Sequence, residues 1–196
     1  MSPNNIPGDL DFSNQKTDDV IDAVISDHRI NSLYEFMFTV VARGDVNILV
    51  FRRFIGGDMI HWVGIISGDI PNYNKIAFTM DTVSYRNCIQ PIGVFTTDEL
   101  QGHGIALRVY INIVKKLNYM ISDHTQYDGA VELWKSLAKI GPTYGLHVVV
   151  HDERFDSFKM LDDVDENSIW AEEGRSHVRL MLVDDEFDKV AKNDAR

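Results

Sequence analysis

Ile92-Gly93-Val94-Phe95-Thr96-Thr97-Asp98-Glu99-Leu100-Gln101-Gly102-His103-Gly104-Ile105-Ala106 is the stretch on which the fold turns. Its first six residues read as a short apolar strand, and the last three open a helix expected from Gly104 to Leu117. That helix carries the stripe Ile105, Val109, Ile113 and Leu117, flanked by Ala106, Tyr110 and Val114, a wide apolar face for packing on a sheet. The loop between strand and helix has the chemistry of an anion cradle. The first N–H groups of a helix lack intrahelical partners and point the same way, and the helix dipole adds about half a positive charge there. Gly102 and Gly104 carry no Cβ, so a phosphate can approach the main chain closely. A glycine pair at a strand-to-helix turn also serves packing alone, and spacing must decide between the two.

Downstream, the chain continues to alternate strand and helix. Tyr119–Ile121 reads as a brief strand, and a second helix is expected from Asp128 to Lys139, with Ala130, Leu133, Trp134, Leu137 and Ala138 on one side. Leu146–Val150 is a strand, residues 152–174 read mostly as loop, and Val178–Val183 is a final strand. Upstream lie β-type runs at Phe36–Val41, Asn47–Phe54, Met59–Ser67 and Lys75–Tyr85. Arg43-Gly44-Asp45 and Gly56-Gly57-Asp58 are turn signals, and Pro71-Asn72-Tyr73-Asn74 is a loop. Before them, Val20, Ile21, Val24 and Ile25 recur at helical spacing from Asp18, and a further turn is expected through Ile30 and Leu33. Residues 1–17 are polar and read as a flexible arm, leaving 18–196 as one domain. The expected class is α/β in the α+β sense: an antiparallel meander, then strand–helix–strand units on one mixed sheet. A strand–helix–strand crossover places Ile92–Thr97 inside the sheet, buried and parallel to Tyr119–Ile121.

Composition narrows the function. A net charge of −11 is ill suited to a nucleic-acid backbone, so nucleic acid is a disfavoured partner. The charge favours a basic substrate or protein surface through long-range steering; solubility alone explains it equally well. No apolar run approaches the ~20 residues that span a bilayer, and residues 1–11 lack the pattern of a secretory signal. Cys88 is the single cysteine, which rules out an internal disulfide, and a cytoplasmic location is expected. His147 and His151 share a strand face but stand about 13 Å apart, too far for one metal. No nucleophile elbow supports serine catalysis.

Gln101, Gly104 and Ala106 stand as Gln-x-x-Gly-x-Ala, which resembles the pyrophosphate loop of the GNAT family of acyl-CoA N-acyltransferases. Ala130-Val131-Glu132-Leu133-Trp134 falls where that family has an Ala-x-x-x-Tyr helix start. The architecture of residues 18–183 follows the family's order of elements, although the motifs themselves lie within 92–139. The resemblance implies a GNAT-like fold, suiting a divergent phage or bacterial member, with acetyl-CoA or another acyl-CoA as donor. Main-chain groups of the strand holding Phe95 and Thr96 would meet the pantetheine arm. Those of Gln101, Gly102, His103, Gly104, Ile105 and Ala106 would hold the pyrophosphate. The acceptor would be an amine, on a small molecule or a basic protein, and a homodimer would be compatible with this reading.

The chain departs from the family at the acid, for Trp134 replaces the tyrosine and an indole cannot release a proton at useful pH. Tyr127 and Tyr144 flank that helix and are the substitutes nearest in sequence, with half-buried packing as the alternative for each. Asp123 and His124, just after the short strand, are the candidate bases; capping the next turn is the alternative. His103 either reaches a phosphate or stands in solvent. A second reading is an acyltransferase-fold protein without turnover, whose acidic surface engages a basic partner.

Overall fold

The computed structural model describes residues 34–42, 44–67, 76–124, 128–161, 169 and 177–187. The arm at 1–17, the helical segments expected before residue 34, the loop at Pro71–Asn74 and Tyr127 fall outside them. Five strands form an antiparallel meander: β1 (Glu35–Ala42), β2 (Val46–Gly56), β3 (Met59–Ile66), β4 (Ile76–Tyr85) and β5 (Cys88–Thr96). Period-two alternation builds it. In β1, Phe38, Val40 and Ala42 are buried while Thr39 and Val41 face out. The turn after β1 uses positive φ at Gly44 and Asp45, as the sequence leads one to expect. A second hairpin was less legible. Arg86 and Asn87 both adopt positive φ and join β4 to β5 by a two-residue turn, with Tyr85 opposite Cys88. The fifth strand therefore begins four residues before Ile92, and Pro91 lies inside it.

From β5 the chain passes through a 3₁₀ turn (Asp98–Leu100) into α1 (Ile105–Lys116), then β6 (Met120–Ile121) and α2 (Asp128–Ile140). A second 3₁₀ turn (Gly141–Tyr144) leads to β7 (Leu146–Asp152), β8 (Ser157–Met160) and β9 (Val178–Asp184). The sheet order is β1-β2-β3-β4-β5-β6-β9-β7-β8. β6 runs parallel to β5, and β9 inserts antiparallel between β6 and β7. The mixed sheet of meander plus strand–helix–strand units is thus the expected class. β8 differs from expectation: Ser157–Met160 pairs with β7 as an outer strand where loop was expected, because polar Ser157 and Lys159 conceal a short edge strand.

One core lies between the sheet and the two helices. Phe38, Val50, Trp62, Phe78 and Met80 from the meander meet Val109 and Ile113 of α1 and Leu137 of α2. Trp62 buries its indole while its N–H donates to Thr82 Oγ1 at 3.0 Å. No described helix is long and apolar enough to cross a membrane.

Candidate functional site

β5 and β6 part almost at once, and the sequence of β5 explains why. Ile89 donates its N–H to Tyr119 O at 2.8 Å, and Ile89 opposite Met120 is the single registered pair. The next residue on that edge is Pro91, which has no N–H to give. A β-bulge then sets Ile92 and Gly93 against Asp81 of β4 and bends the strand away. Beyond the bulge, Thr97 donates to Ala77 O at 3.2 Å, so Phe95 and Gly93 also face β4. That alternation turns the main-chain groups of Val94 and Thr96 to the open edge. Ile92, Val94 and Phe95 are 43%, 42% and 54% exposed, contrary to the buried strand expected from sequence. The strand is central in the sheet and parallel to β6, but it walls a cleft.

This cleft encloses about 560 Å³. Pro91 to Thr96 form one wall; Gln101, Gly102, Ala106 and Tyr110 form the end at α1. Ser122, Asp123, Gly129, Ala130, Leu133 and Trp134 close the other side. Its lining is thus mostly apolar, with a few polar groups, as ligand clefts are.

At the α1 end, Gly102 and Gly104 hold φ of 74° and 73°, a conformation side chains disfavour, and Gly104 is the N-cap of α1. The first turn of α1 contains no acidic residue to compete with an anion. A Cβ at Gly102 would meet open space, while one at Gly104 would lie 2.6 Å from Arg108 Nη1. The Arg108 guanidinium folds back onto the loop, donating to His103 O at 3.4 Å and Gly104 O at 3.3 Å. Gln101 is held by Nε2 bonds to Asp98 Oδ1 (2.8 Å) and Thr96 O (3.4 Å), which tie strand end to loop. The loop therefore fits an anion: positive-φ glycines, uncapped helix N–H groups and a guanidinium alongside.

Where β5 and β6 separate, a polar cluster fills the sheet. Arg179 of β9 is 5% exposed and stacks its guanidinium 4.2 Å from the Tyr85 ring centroid. It donates to Gln90 Oε1 (3.0 Å) and Ser122 O (3.3 Å), and lies 3.0 Å from Glu153 Oε1. The His124 ring sits between Arg179 and Glu153, with Nε2 3.0 Å from Arg179 Nε and 3.0 Å from Glu153 Oε2. Nδ1 lies 3.1 Å from Arg179 Nη2; a neutral imidazole has one acceptor nitrogen, so Arg179 bonds one of the two at a time. Burial works against the Glu153 charge, but hydrogen bonds from His124 and Tyr85 and the nearby Arg179 outweigh it. The carboxyl stays below its ordinary range.

The residues singled out from sequence divide by place. Phe95, Thr96, Gln101, Gly102, Ala106 and Asp123 line the cleft. Gly104 caps α1 beside His103, and Ile105 is buried in the core. His124 stands one residue beyond the lining, in the Arg179–Glu153 cluster. Tyr144 is outside the lining, 41% exposed, with Lys115 Nζ 5.5 Å from its ring centroid. Trp134, read as a core anchor, is buried and also closes the cleft. Sequence reasoning missed Tyr110, Glu153 and Arg179. Tyr110 was legible as part of the α1 face four residues after Ala106; Glu153 and Arg179 gave no local signal, since 26 residues and a strand pairing separate them.

No family model matches the sequence, and no curated protein matches it. Two solved structures are similar. One is an acetyltransferase from Bacillus subtilis in complex with CoA, 12% identical, covering 65% of this chain and 77% of that one, with a TM-score of 0.34. The other is a putative acetyltransferase of the GNAT family from Bacteroides thetaiotaomicron, 8% identical, covering 70% of each chain, with a TM-score of 0.33. Likeness at this level leaves function to the chain's own geometry.

Proposed function

We propose that this protein is an N-acyltransferase of GNAT type, moving an acyl group, most simply acetyl, from coenzyme A to an amine. The observation that carries this reading is the open edge of β5 ending at the Gly102–Gly104 loop. A long ligand with amides in its arm and a pyrophosphate at one end matches both parts. Val94 and Thr96 would pair with the arm as a further strand would. The N–H groups of Gly102, Gly104, Ile105 and Ala106 with Arg108 would hold the phosphates, those of Gln101 and His103 being bonded to Asp98 O and Leu100 O. The acceptor amine must lose a proton as it attacks the acyl carbon. Asp123, on the lining, is the base this arrangement offers; His124 beside it serves only if a ring nitrogen leaves Arg179 or Glu153.

The test is a thermal melt with coenzyme A, acetyl-CoA and desulfo-coenzyme A. A ligand at a hundred times its Kd stabilises the fold by about 2.7 kcal/mol. No shift with any of the three would sink the reading. Trp134 at the position of the family's acid supports a second reading, a protein that binds coenzyme A without turnover and presents an acidic surface to a basic partner. Binding with no transfer to any of a panel of amines and basic proteins would select it.

A further inference from the structure

When a thioester carbon–sulfur bond breaks, negative charge collects on sulfur, and a partly dry cleft must meet it with a donor. Few lining side chains carry one. Asp123, as a carboxylate, accepts only. Ser122 is committed, its hydroxyl donating to Asp123 O at 2.9 Å and accepting from Leu180 N at 3.0 Å. The Gln101 amide is held at the strand end, and Thr96 adjoins it at the phosphate end of the cleft. Tyr110 remains, with the indole of Trp134 as its competitor. It lies one helical turn beyond Ala106 on the face of α1 that lines the cleft, 3% exposed. Its ring stands edge-on to Trp134, centroids 6.2 Å apart and planes at 72°. No described residue takes its hydroxyl in a hydrogen bond.

We infer that the Tyr110 hydroxyl donates a hydrogen bond to the departing sulfur, from α1 rather than from α2, and keeps its proton while doing so. This rests on the acyltransferase reading and deepens it. Burial pushes the Tyr110 phenol well above its ordinary value. Full transfer of its proton to a thiolate, a much weaker base, is therefore uphill, whereas a hydrogen bond to that thiolate in a low-dielectric site is strong. The step balances without it. The amine nitrogen bonds the acyl carbon, and the carbon–sulfur electron pair goes to sulfur. The amine's surplus proton passes to the Asp123 carboxylate on the lining, and the thiolate takes its proton from solvent.

The test needs no acceptor. Bound coenzyme A is titrated by thiolate absorbance in wild type, Tyr110→Phe and Trp134→Phe, with desulfo-coenzyme A affinity as the control for an intact cleft. The thiol should titrate about one to two units lower bound to wild type than bound to Tyr110→Phe, with desulfo-coenzyme A affinity equal in the two. With an amine in hand, kcat of Tyr110→Phe should fall about a hundredfold. Equal thiol titration in wild type and Tyr110→Phe, or a rise confined to Trp134→Phe, overturns the inference and leaves the acyltransferase reading standing. Wild type that binds no coenzyme A overturns both. Should Tyr110→Phe fail to fold, 3-fluorotyrosine at residue 110, a stronger donor of the same shape, must lower the bound thiol's titration further; no change refutes the inference.

Discussion

Glu153 and His124 depend on each other, and acid should separate them. The Glu153 carboxyl is depressed in the folded chain, so its contribution to stability is complete above the unfolded value of about 4.3 and is lost as pH falls through the lower folded value. Glu153→Gln should therefore melt below wild type at neutral pH, with the gap closing below about pH 4.3. Melting curves across pH check this, and a gap that widens in acid would be inconsistent with it. Asp123→Asn should lower turnover by about 10²–10⁴-fold as loss of the base, and His124→Ala should do so only if the imidazole takes the amine proton. A merely structural His124 would instead cost melting temperature at unchanged specific activity. The two outcomes are read in one preparation. Neither Glu153 nor Arg179 was legible beforehand, because the contacts that define them join β6, β7 and β9 across stretches no local window spans.

At the scale of elements, the cleft exists because β5 stops pairing at Pro91. Pro91→Ala returns an N–H to the edge that Ile89 already uses, so β5 should extend its pairing toward β6 and compete with a ligand arm. Coenzyme A affinity should drop roughly fivefold, the worth of one backbone hydrogen bond of about 1 kcal/mol, without loss of melting temperature. Calorimetry on the folded variant decides it; unchanged affinity would mean the bulge alone opens the cleft. Gly104→Val should be harsher on binding, because its φ of 73° disfavours a β-branched side chain by about 1–2 kcal/mol and the loop must shift. A folded Gly104→Val protein with wild-type coenzyme A affinity would remove this loop from consideration. Much of this was legible. The glycines, the α1 stripe and the strand before them all carry local signals, and both helices fall within one residue of their expected ends. The parting of the strands was not derivable from alternation, since a proline that looks like a strand start in sequence is a strand interior in space.

For the whole molecule, the charge of −11 should show in association rates. If the acceptor is cationic, kcat/KM for it should fall as salt shortens the Debye length from about 10 Å at 0.1 M to about 3 Å at 1 M. A neutral amine of similar size should be far less affected, and equal salt dependence for both would argue that the charge serves solubility alone. The position of β9 has a consequence of another kind, for synthesis. Sequentially the last described strand, it occupies the sheet interior between β6 and β7. Until residues 178–184 have emerged from the ribosome, β6 and β7 each present an unpaired edge, and Arg179 is missing from the cluster around Glu153. At about 5–20 residues per second the nascent chain lives for seconds in that state, when strand edges are open to the wrong partner. A chain stalled before Val178 should therefore remain bound to chaperones or aggregate, whereas one released after residue 187 should clear them.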